Sequence, residues 1–430
     1  MNILSLDSPY SPFFSLIVQQ LPEVSCFRAI FSKSGYRHYF AGDDCEFLGR
    51  ILARHTTYTQ EDMALAKQSH NHYSAYVGKF SGRKLNQEEL AKLASFAHYF
   101  RLYLQEHQID FVMMHNDLRW HHALARDICL QLGVPFCVSE LGLFRPYTMT
   151  LDFQGVNANA SIASLDVDFA QYADLPERPF NVPEPFYGHE SLRSKRHFLR
   201  FLLLNKLGGL CGLNSSIAHN ALRIRPYLQR FWQQTVKRGA GGAHQQDGLP
   251  GGDYVFFPMQ LENDTQFLIH SDFSSNQTLL NDVEHAFYQS ELASTHQLVV
   301  KLHPNDLGSY QADNRTRFTQ GNTTQLVNHA AAIISVNSTV CMEALETDKP
   351  LFVLGRAFFA RADICQPVTL DMLSAALSQP QPVSVAHRKG FIHYLKFQYS
   401  VEGAGYSFQP EELRRVAQRL TEHVRQYRKA

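Results

Sequence analysis

Short apolar runs alternate with helical stretches from the beginning of the chain. Residues 2–6 form an apolar run, a Ser-Pro-Tyr-Ser-Pro turn follows, and an apolar helical stretch covers residues 13–21 before a second run at residues 26–31. Short apolar runs bounded by turn signals are typical of buried strands. The pattern therefore predicts a β-turn-α-β unit, the building block of a parallel sheet.

The same alternation continues to the end of the chain. Strands are predicted at residues 111–114 and 134–139, and in the second half at 254–257, 298–302, 332–336 and 351–354. Helices are predicted at 120–132, 339–346 and 410–429, the last with Leu413, Val416, Leu420 and Val424 at helical spacing. The expected fold class is α/β, with two facing Rossmann-like domains, a central cleft and a C-terminal closing helix.

Chain length and one stretch of unusual composition predict the domain boundaries. A chain of 430 residues is longer than one hydrophobic core usually supports, and residues 239–252, rich in Gly, Gln and His, have the composition of a linker. We expect a first domain at 1–245 that includes a basic helical segment at 190–235, a second domain at 253–385, and a helical closing segment at 386–430.

Composition excludes several function classes. Lys+Arg and Asp+Glu are balanced at 40 each, so no overall field attracts nucleic acid. The seven cysteines are scattered without a CxxC pair, which argues against a disulfide framework or zinc site and favours the reducing cytoplasm. The chain shows neither a signal peptide nor a membrane-spanning run, so any membrane contact is expected to be peripheral.

Two strand ends in the second half carry groups suited to an anion. Lys301 and His303 end one predicted strand, with Pro304 fixing the exit turn, and the run from Ser335 to Thr339 leads another strand into a helix through small polar residues. Taken singly, Lys301 and His303 can be a strand end that faces solvent, and the run from Ser335 to Thr339 can be an ordinary helix cap. Together, in one half, they favour a site for a phosphate ester.

Two carboxylates are candidates for acid, base or nucleophile. Glu140 follows a predicted strand of the first half, and Asp264 follows the first strand of the second half. Each can equally be a surface acid. One carboxylate from each half, facing across a cleft, is the arrangement that glycosyl chemistry needs.

No metal ion is expected. Asp166 and Asp168 imitate a metal-binding DxD motif without its context, and the His70/His72 and His121/His122 pairs have no third ligand at a useful spacing.

A basic, apolar segment at 193–210 has two interpretations. It can lie on an anionic membrane surface, with Arg193, Lys195, Arg196 and Arg200 near headgroups and Phe198, Phe201, Leu202 and Leu203 inserted. It can also be a buried helix with a solvated basic edge.

Several motifs resemble one protein family. They are the runs at 8–16 and 41–44, His115 to His122 with Arg119, Glu140 to Asp152 with Gly142 and Arg145, Gly155 to Asn157, Gln260 with Asp264, Lys301 with His303-Pro304, Asn337-Ser338-Thr339 with Glu343, and 349–355. In order and spacing they resemble bacterial capsule polysaccharide biosynthesis and export proteins, which include Kdo transferases.

The resemblance implies a GT-B-like fold, CMP-Kdo as donor and a β-Kdo product formed with retention. It implies Glu140 and Asp264 as catalytic carboxylates. Donor-binding residues would be Gln260, Lys301, His303, Pro304, Ser335, Asn337, Ser338, Thr339 and Glu343, and Arg119, Arg145 and His122 would hold a substrate carboxylate or the acceptor. No cofactor is expected beyond the donor substrate. Expected partners are a lysophospholipid or glycolipid acceptor, an anionic membrane surface and other capsule assembly proteins.

Two alternatives remain open. One is an inverting transferase that uses a nucleotide diphosphate sugar, for which Glu140 would be the only essential carboxylate. The other is a non-catalytic capsule assembly or export component that binds lipid-linked glycan.

Overall fold

The computed structural model describes residues 1–182, 192–217, 248–306 and 308–427. The chain forms two units, residues 1–217 with 390–430 (unit 1) and residues 218–389 (unit 2). The C-terminal segment is thus part of unit 1. Most of the predicted linker, 239–247, lies outside the described residues, as do residues 190–191 and 218–235 of the predicted basic segment.

Strands and helices follow one another along the chain in both units. The strands are β1 Asn2–Ser5, β2 Cys26–Phe31, β3 Asp44–Phe47, β4 Phe111–His115, β5 Phe136–Leu141, β6 Thr148–Asp152, β7 Tyr254–Pro258, β8 Gln297–Lys301, β9 Arg317–Phe318, β10 Ala332–Ser335, β11 Leu351–Val353, β12 Gln366–Pro367 and β13 Val401–Glu402. The helices are α1 Phe13–Val18, α2 Leu48–Arg54, α3 Gln60–Gln68, α4 His72–Ser81, α5 Gln87–Glu106, α6 Trp120–Leu132, α7 Leu192–Leu210, α8 Thr265–His270, α9 Asn276–Tyr288, α10 Thr323–His329, α11 Val340–Leu345, α12 Leu370–Ser378, α13 Val385–Tyr394 and α14 Pro410–Tyr427.

Unit 1 contains a seven-stranded sheet in the order β13-β6-β5-β4-β1-β2-β3. β1 pairs in parallel with both β2 and β4, and β4 with β5, whereas β6 and β13 are antiparallel additions at one edge. Its central strands are apolar on both faces because helices cover both, as Ile3, Leu4, Val112 and Met113 illustrate. The chain reverses its winding direction between β1 and β4.

Unit 2 contains a six-stranded sheet in the order β12-β11-β10-β7-β8-β9. All its pairings are parallel, and its winding direction reverses between β7 and β10. Both units are therefore Rossmann-like, which confirms the predicted α/β class. The strands inferred from apolar runs all exist, with ends shifted by two residues at most.

Some elements differ from the prediction. β5 begins at Phe136, not residue 134, and continues to Leu141, so Glu140 lies inside the strand and not after it. The closing helix α14 buries its predicted apolar stripe against α1, within the core of unit 1. In the part of the chain that the structure describes, no helix is long and apolar enough to cross a bilayer.

Two glycines in helices differ in the space available for a side chain. A Cβ atom on Gly390, in α13, would lie 1.7 Å from the carbonyl oxygen of Phe169, whereas one on Gly78, in α4, would meet no atom within 4 Å. Gly390 is thus fixed by a close approach of two backbones, and Gly78 is exposed with no such constraint.

We expect Gly390→Ala to destabilise the protein by about 1–3 kcal/mol, because α13 must move away from Phe169. Gly78→Ala is the matched control and should stabilise it by up to about 1 kcal/mol through helix propensity alone. Thermal melting of the two variants beside the wild type measures both effects. Equal melting temperatures for the variants would contradict the close packing of α13 on Phe169.

Candidate functional site

Both reversal points bring polar side chains to the carboxyl edge of a sheet. In open α/β sheets this edge, at the reversal of winding, is where ligands bind. In unit 1 the edge follows β1, β4 and β5 and carries Asp7, the segment from His115 to His122, and Glu140. In unit 2 it follows β7, β8 and β10 and carries Gln260, His303 and the turn from Ser335 to Thr339.

Glu140 is held in place by Asn116. The Asn116 side-chain amide donates to Glu140 Oε2 at 2.6 Å, and the backbone N–H of Leu141 donates to Oε1 at 2.8 Å. Asn116 has a left-handed backbone (φ 65°), a conformation that asparagine adopts more readily than most residues. Its side-chain oxygen accepts from Leu118 N at 2.9 Å, so the amide orientation is fixed as well. The half-buried carboxylate therefore has a defined position at the sheet edge.

The turn after Glu140 depends on a glycine. A Cβ atom at Gly142 would lie 1.7 Å from the Thr148 carbonyl oxygen, so only glycine allows β5 to turn back into β6. Arg145, further along this turn, is exposed, and its Nε donates to the Gly142 carbonyl at 3.2 Å. The predicted substrate-binding Arg145 thus lies on the turn that directly follows the strand containing Glu140.

Arg119 is buried and paired inside the protein. Its guanidinium contacts Asp7 Oδ2 at 3.3 Å and donates to the Tyr36 hydroxyl at 3.1 Å. The sequence suggested that this guanidinium holds a substrate carboxylate. Within unit 1 it faces the carboxylate of Asp7.

Asp7 is the centre of a buried network that sequence reasoning missed. The backbone N–H of Ser32 donates to Asp7 at 2.7 Å, the Ser32 hydroxyl donates to its other oxygen, and His121 Nε2 lies 3.2 Å from Asp7 Oδ2. Burial opposes ionisation, yet the adjacent His121 imidazole and the Arg119 charge hold the pKa of Asp7 well below its usual range. One signal was available, since Asp7 comes directly after the first strand.

Three histidines at this edge are kept neutral by burial. Burial lowers the pKa of His115 to about 4, and it also lowers the pKa of both His121 and His122. His115 Nδ1 lies 2.9 Å from the Ser139 hydroxyl, and His122 Nδ1 donates to the Asn116 carbonyl at 2.8 Å. His122, predicted to contact substrate, therefore supports the loop that carries Asn116.

Asp7, His121 and His122 are the described residues of unit 1 that could hold a metal ion. Their potential ligand atoms all lie within 4.8 Å of one another, and all three side chains are buried. The expectation that the histidine pair lacks a third ligand is therefore wrong, because the fold brings Asp7 beside it. The Arg119 guanidinium competes for the same carboxylate.

In unit 2, Gln260 and Asn337 bond to each other across the reversal point. Gln260 Nε2 donates to Asn337 Oδ1 at 3.0 Å, and Asn337 N donates to Gln260 Oε1 at 3.2 Å. The Asn337 amide also donates to the His270 carbonyl at 3.2 Å. These two predicted donor-binding residues thus join the ends of β7 and β10.

Lys301 is hydrogen-bonded to the loop at the start of α10. Its ammonium donates to the Gly321 carbonyl at 2.7 Å and to the Thr323 hydroxyl at 2.6 Å, and burial lowers its pKa. Glu343 accepts from the Thr324 hydroxyl at 2.7 Å, beside the same loop. His303 is half-buried, and its Nδ1 accepts from Asn305 N at 3.1 Å, with Pro304 exposed between them.

The turn from Ser335 to Thr339 uses two of its own hydroxyls. Ser335 Oγ accepts from Ser338 N at 3.4 Å, and Ser338 Oγ accepts from Val340 N at 3.3 Å. Thr339 is exposed and makes no side-chain cap for α11. Small hydroxyls and backbone N–H groups thus line this strand end.

Asp264 is the N-cap of α8. Its exposed carboxylate accepts from Gln266 N at 2.8 Å, the geometry of a helix cap. The predicted nucleophile therefore has a structural role of its own in unit 2.

Asp117 is a buried carboxylate at the unit 1 edge. Burial raises its pKa to about 6, although Arg126 lies 3.8 Å away and the Asn159 amide donates to it at 2.8 Å. Its folded pKa exceeds the ordinary value, so its favourable contribution is complete below about pH 4 and is lost as the pH rises through 6.

We expect Asp117→Asn to remove this pH dependence. Relative to the variant, the wild type should lose about 2.5 kcal/mol of unfolding free energy between pH 4 and pH 7.5. Denaturant unfolding of both proteins across this range measures the difference. Parallel stability curves would show that Asp117 does not titrate in the folded protein near pH 6.

Comparison with known proteins assigns the family. Residues 110–401 match the model of the family described as capsule polysaccharide biosynthesis protein. The capsule polysaccharide modification protein LipB of Neisseria meningitidis serogroup A is 26% identical over 299 residues, 64% of this chain and 70% of LipB. The capsule polysaccharide export protein KpsS of Escherichia coli is 24% identical over 287 residues, 59% of this chain and 69% of KpsS.

Among solved structures, the β Kdo 2,7 transferase KpsC of Thermosulfurimonas dismutans aligns with 85% of this chain and 98% of its own, at 13% identity and a TM-score of 0.36. The family match covers the segment from His115 to His122, Glu140 and the polar edge of unit 2, and it spans more than half of the sequence. The chain therefore belongs to the capsule polysaccharide biosynthesis protein family.

Proposed function

We propose that this protein is a glycosyltransferase of capsule polysaccharide biosynthesis that transfers Kdo from CMP-Kdo to a lipid or Kdo-terminated acceptor. The main support is Glu140, a carboxylate fixed by Asn116 at the ligand-binding edge of unit 1. Family membership supports the pathway. The sequence resemblance supports the donor.

The proposed reaction proceeds with retention in two displacements. Asp264 attacks the anomeric carbon, a carboxylate–carbon bond forms, and the carbon–oxygen bond to the CMP phosphate breaks. An acceptor hydroxyl then loses its proton to Glu140 and attacks the same carbon, which breaks the bond to Asp264. Each step inverts the carbon, so the product retains the donor configuration.

The leaving phosphate is assigned to the carboxyl edge of unit 2. His303 and the hydroxyls of Ser338 and Thr339 supply positive charge or hydrogen-bond donors there, and these stabilise the developing phosphate charge without a metal ion. Lys301, which donates to Gly321 and Thr323, is assigned the role of holding the adjoining loop. Arg145 is the guanidinium assigned to the Kdo carboxylate.

The reaction would take place at the cytoplasmic face of a membrane, where a lysophospholipid or glycolipid acceptor is available. Other capsule assembly proteins are the expected partners at that surface. The nucleotide sugar would be delivered from the cytoplasm.

A second candidate function is an inverting transfer from a nucleotide diphosphate sugar. It is favoured by one observation, that the Asp264 carboxylate caps α8. In that reaction the acceptor oxygen displaces the nucleotide directly, and Glu140 alone takes the proton.

The first test compares Glu140→Gln, Asp264→Ala and Asp264→Ser in transfer from CMP-Kdo, generated in place, to fluorescent lysophosphatidylglycerol and to a Kdo-terminated acceptor. We expect product from the wild type and a loss of about 10²–10⁴-fold in kcat for Glu140→Gln. Asp264→Ser keeps a good helix cap but removes the nucleophile, so it should be as inactive as Asp264→Ala.

The variants also distinguish the alternatives. An active Asp264→Ser beside an inactive Glu140→Gln would favour the inverting reaction. A wild type that neither binds nor consumes CMP-Kdo would overturn the donor assignment. Binding of lipid-linked glycan without transfer from any nucleotide sugar would indicate a non-catalytic assembly or export component.

Asn116 is expected to act as a positioning residue for Glu140. Asn116→Gly keeps the left-handed backbone available and removes only the amide, so kcat should fall about 10–100-fold with little change in KM. The informative measurement is a double-mutant cycle with Glu140→Gln. In the Glu140→Gln background, Asn116→Gly should have almost no further effect, whereas a purely structural role would reduce activity equally in both backgrounds.

A further inference from the structure

Helix α7 presents a row of five exposed leucines. Leu192, Leu199, Leu203, Leu207 and Leu210 are 76%, 64%, 58%, 52% and 82% exposed. At 100° per residue all five fall within a sector of about 80° on one side of the helix. We refer to these residues as the leucine stripe. Isolated exposed leucines are common, but a contiguous stripe of this length marks an interaction surface.

The opposite side of α7 is fixed to unit 1. Phe201 is buried and packs edge-on against Tyr36, with ring centroids 5.1 Å apart. The Ser34 hydroxyl donates to the Leu204 carbonyl at 2.9 Å, and a Cβ on Gly208 would lie 2.0 Å from Ser34 Oγ. The orientation of the leucine stripe is therefore set by packing on the other face.

This orientation changes one of the two interpretations drawn from sequence, in which Phe198, Phe201, Leu202 and Leu203 insert together. Phe201 is buried, and Phe198 and Leu202 are half-buried against the unit 1 core, so these three side chains lie on the side of α7 that packs on unit 1. Leu203 alone of the four predicted residues belongs to the exposed side. Sequence periodicity shows that the helix has two apolar sides but not which of them the protein covers.

The charged residues of α7 all have one sign. α7 contains five Lys or Arg residues and no acidic one. Arg196 lies at a helical position within the stripe, and Lys195, Arg200 and Lys206 lie along its margins. Arg193 lies at the edge, with its guanidinium 5.3 Å from the centre of the Tyr406 ring. Long basic side chains beside leucines can extend to headgroups while the leucines enter the acyl boundary.

We propose that α7 docks this protein on an anionic lipid surface, lying in the plane of the interface with the leucine stripe inserted. A second copy of the chain is a poorer occupant, because a symmetric dimer through this helix would bring two rows of like charge together. Anionic headgroups neutralise the same row. The inference does not depend on the proposed reaction, because docking requires neither the donor nor Glu140.

The test is sedimentation of the full-length protein with vesicles, without nucleotide sugar. Wild type is compared on phosphatidylglycerol/phosphatidylcholine and on pure phosphatidylcholine vesicles with L199S/L203S/L207S and the matched control L102S/L130S/L132S. The control removes three leucines of unit 1 that are 43%, 50% and 38% exposed outside α7. Thermal melting confirms that each variant is folded.

We expect the wild type and the control to bind anionic vesicles, with binding weakened by salt. The α7 variant should bind at least about tenfold less. R196Q/K206Q should lose roughly fivefold per residue on anionic vesicles and change little on neutral ones.

Equal binding by the α7 variant and the wild type would overturn the proposal, and so would a wild type that does not bind. A wild-type dimer that becomes monomeric in the α7 variant, without vesicle binding, would identify the leucine stripe as an interface between copies. Loss of vesicle binding with transfer to a soluble acceptor intact separates this inference from the proposed reaction.

Discussion

In each unit, the first strand of the sheet pairs in parallel with a neighbour on each side. This arrangement determines where a ligand can bind and react. β1 lies between β2 and β4, and β7 lies between β8 and β10, so each sheet is buried on both faces. Polar groups are costly inside such a sheet and collect where the strands end. At the two reversal points the adjoining loops diverge, which leaves room for a ligand at the carboxyl edge.

The two edges are built differently. In unit 1, buried charges are compensated internally, with Asp7 facing Arg119 and His121, and this rigid network supports the loop that carries Asn116. Asn116 in turn fixes Glu140, so the position of the candidate catalytic carboxylate depends on a series of hydrogen bonds and ion pairs inside unit 1. In unit 2, Gln260 and Asn337 form a neutral connection between strands, and His303 and the hydroxyls of the turn from Ser335 to Thr339 lie at the ends of neighbouring strands.

Family membership connects the protein that carries these two edges with one pathway, capsule polysaccharide biosynthesis. Several of the residues that match the family's motifs make hydrogen bonds within the protein. Lys301, Gln260, Asn337 and Arg119 hold loops or strand ends in position, so their importance does not require contact with substrate. The proposed chemistry would act through the carboxylates of Glu140 and Asp264, together with Arg145, His303 and the hydroxyls of Ser338 and Thr339.

The sequence by itself determined the α/β class, the strands found as apolar runs, and the stripe of the closing helix. These features depend on local periodicity, which the chain carries in its order of residues. The sequence could not reveal five strands, β3, β6, β9, β12 and β13. Four of them are short or edge strands, and β6 is an antiparallel addition, so all five carry little periodic signal.

Only the tertiary structure decided which polar residues meet. Asp7 lies beside His121 because β1 and β4 are neighbours, and Asp264 caps a helix whose start no apolar pattern marks. The outward side of α7 was likewise undecided until Phe201 was seen to pack on Tyr36. Sequence periodicity identifies the sides of a helix or strand, whereas long-range packing selects which side is buried and which residues become neighbours.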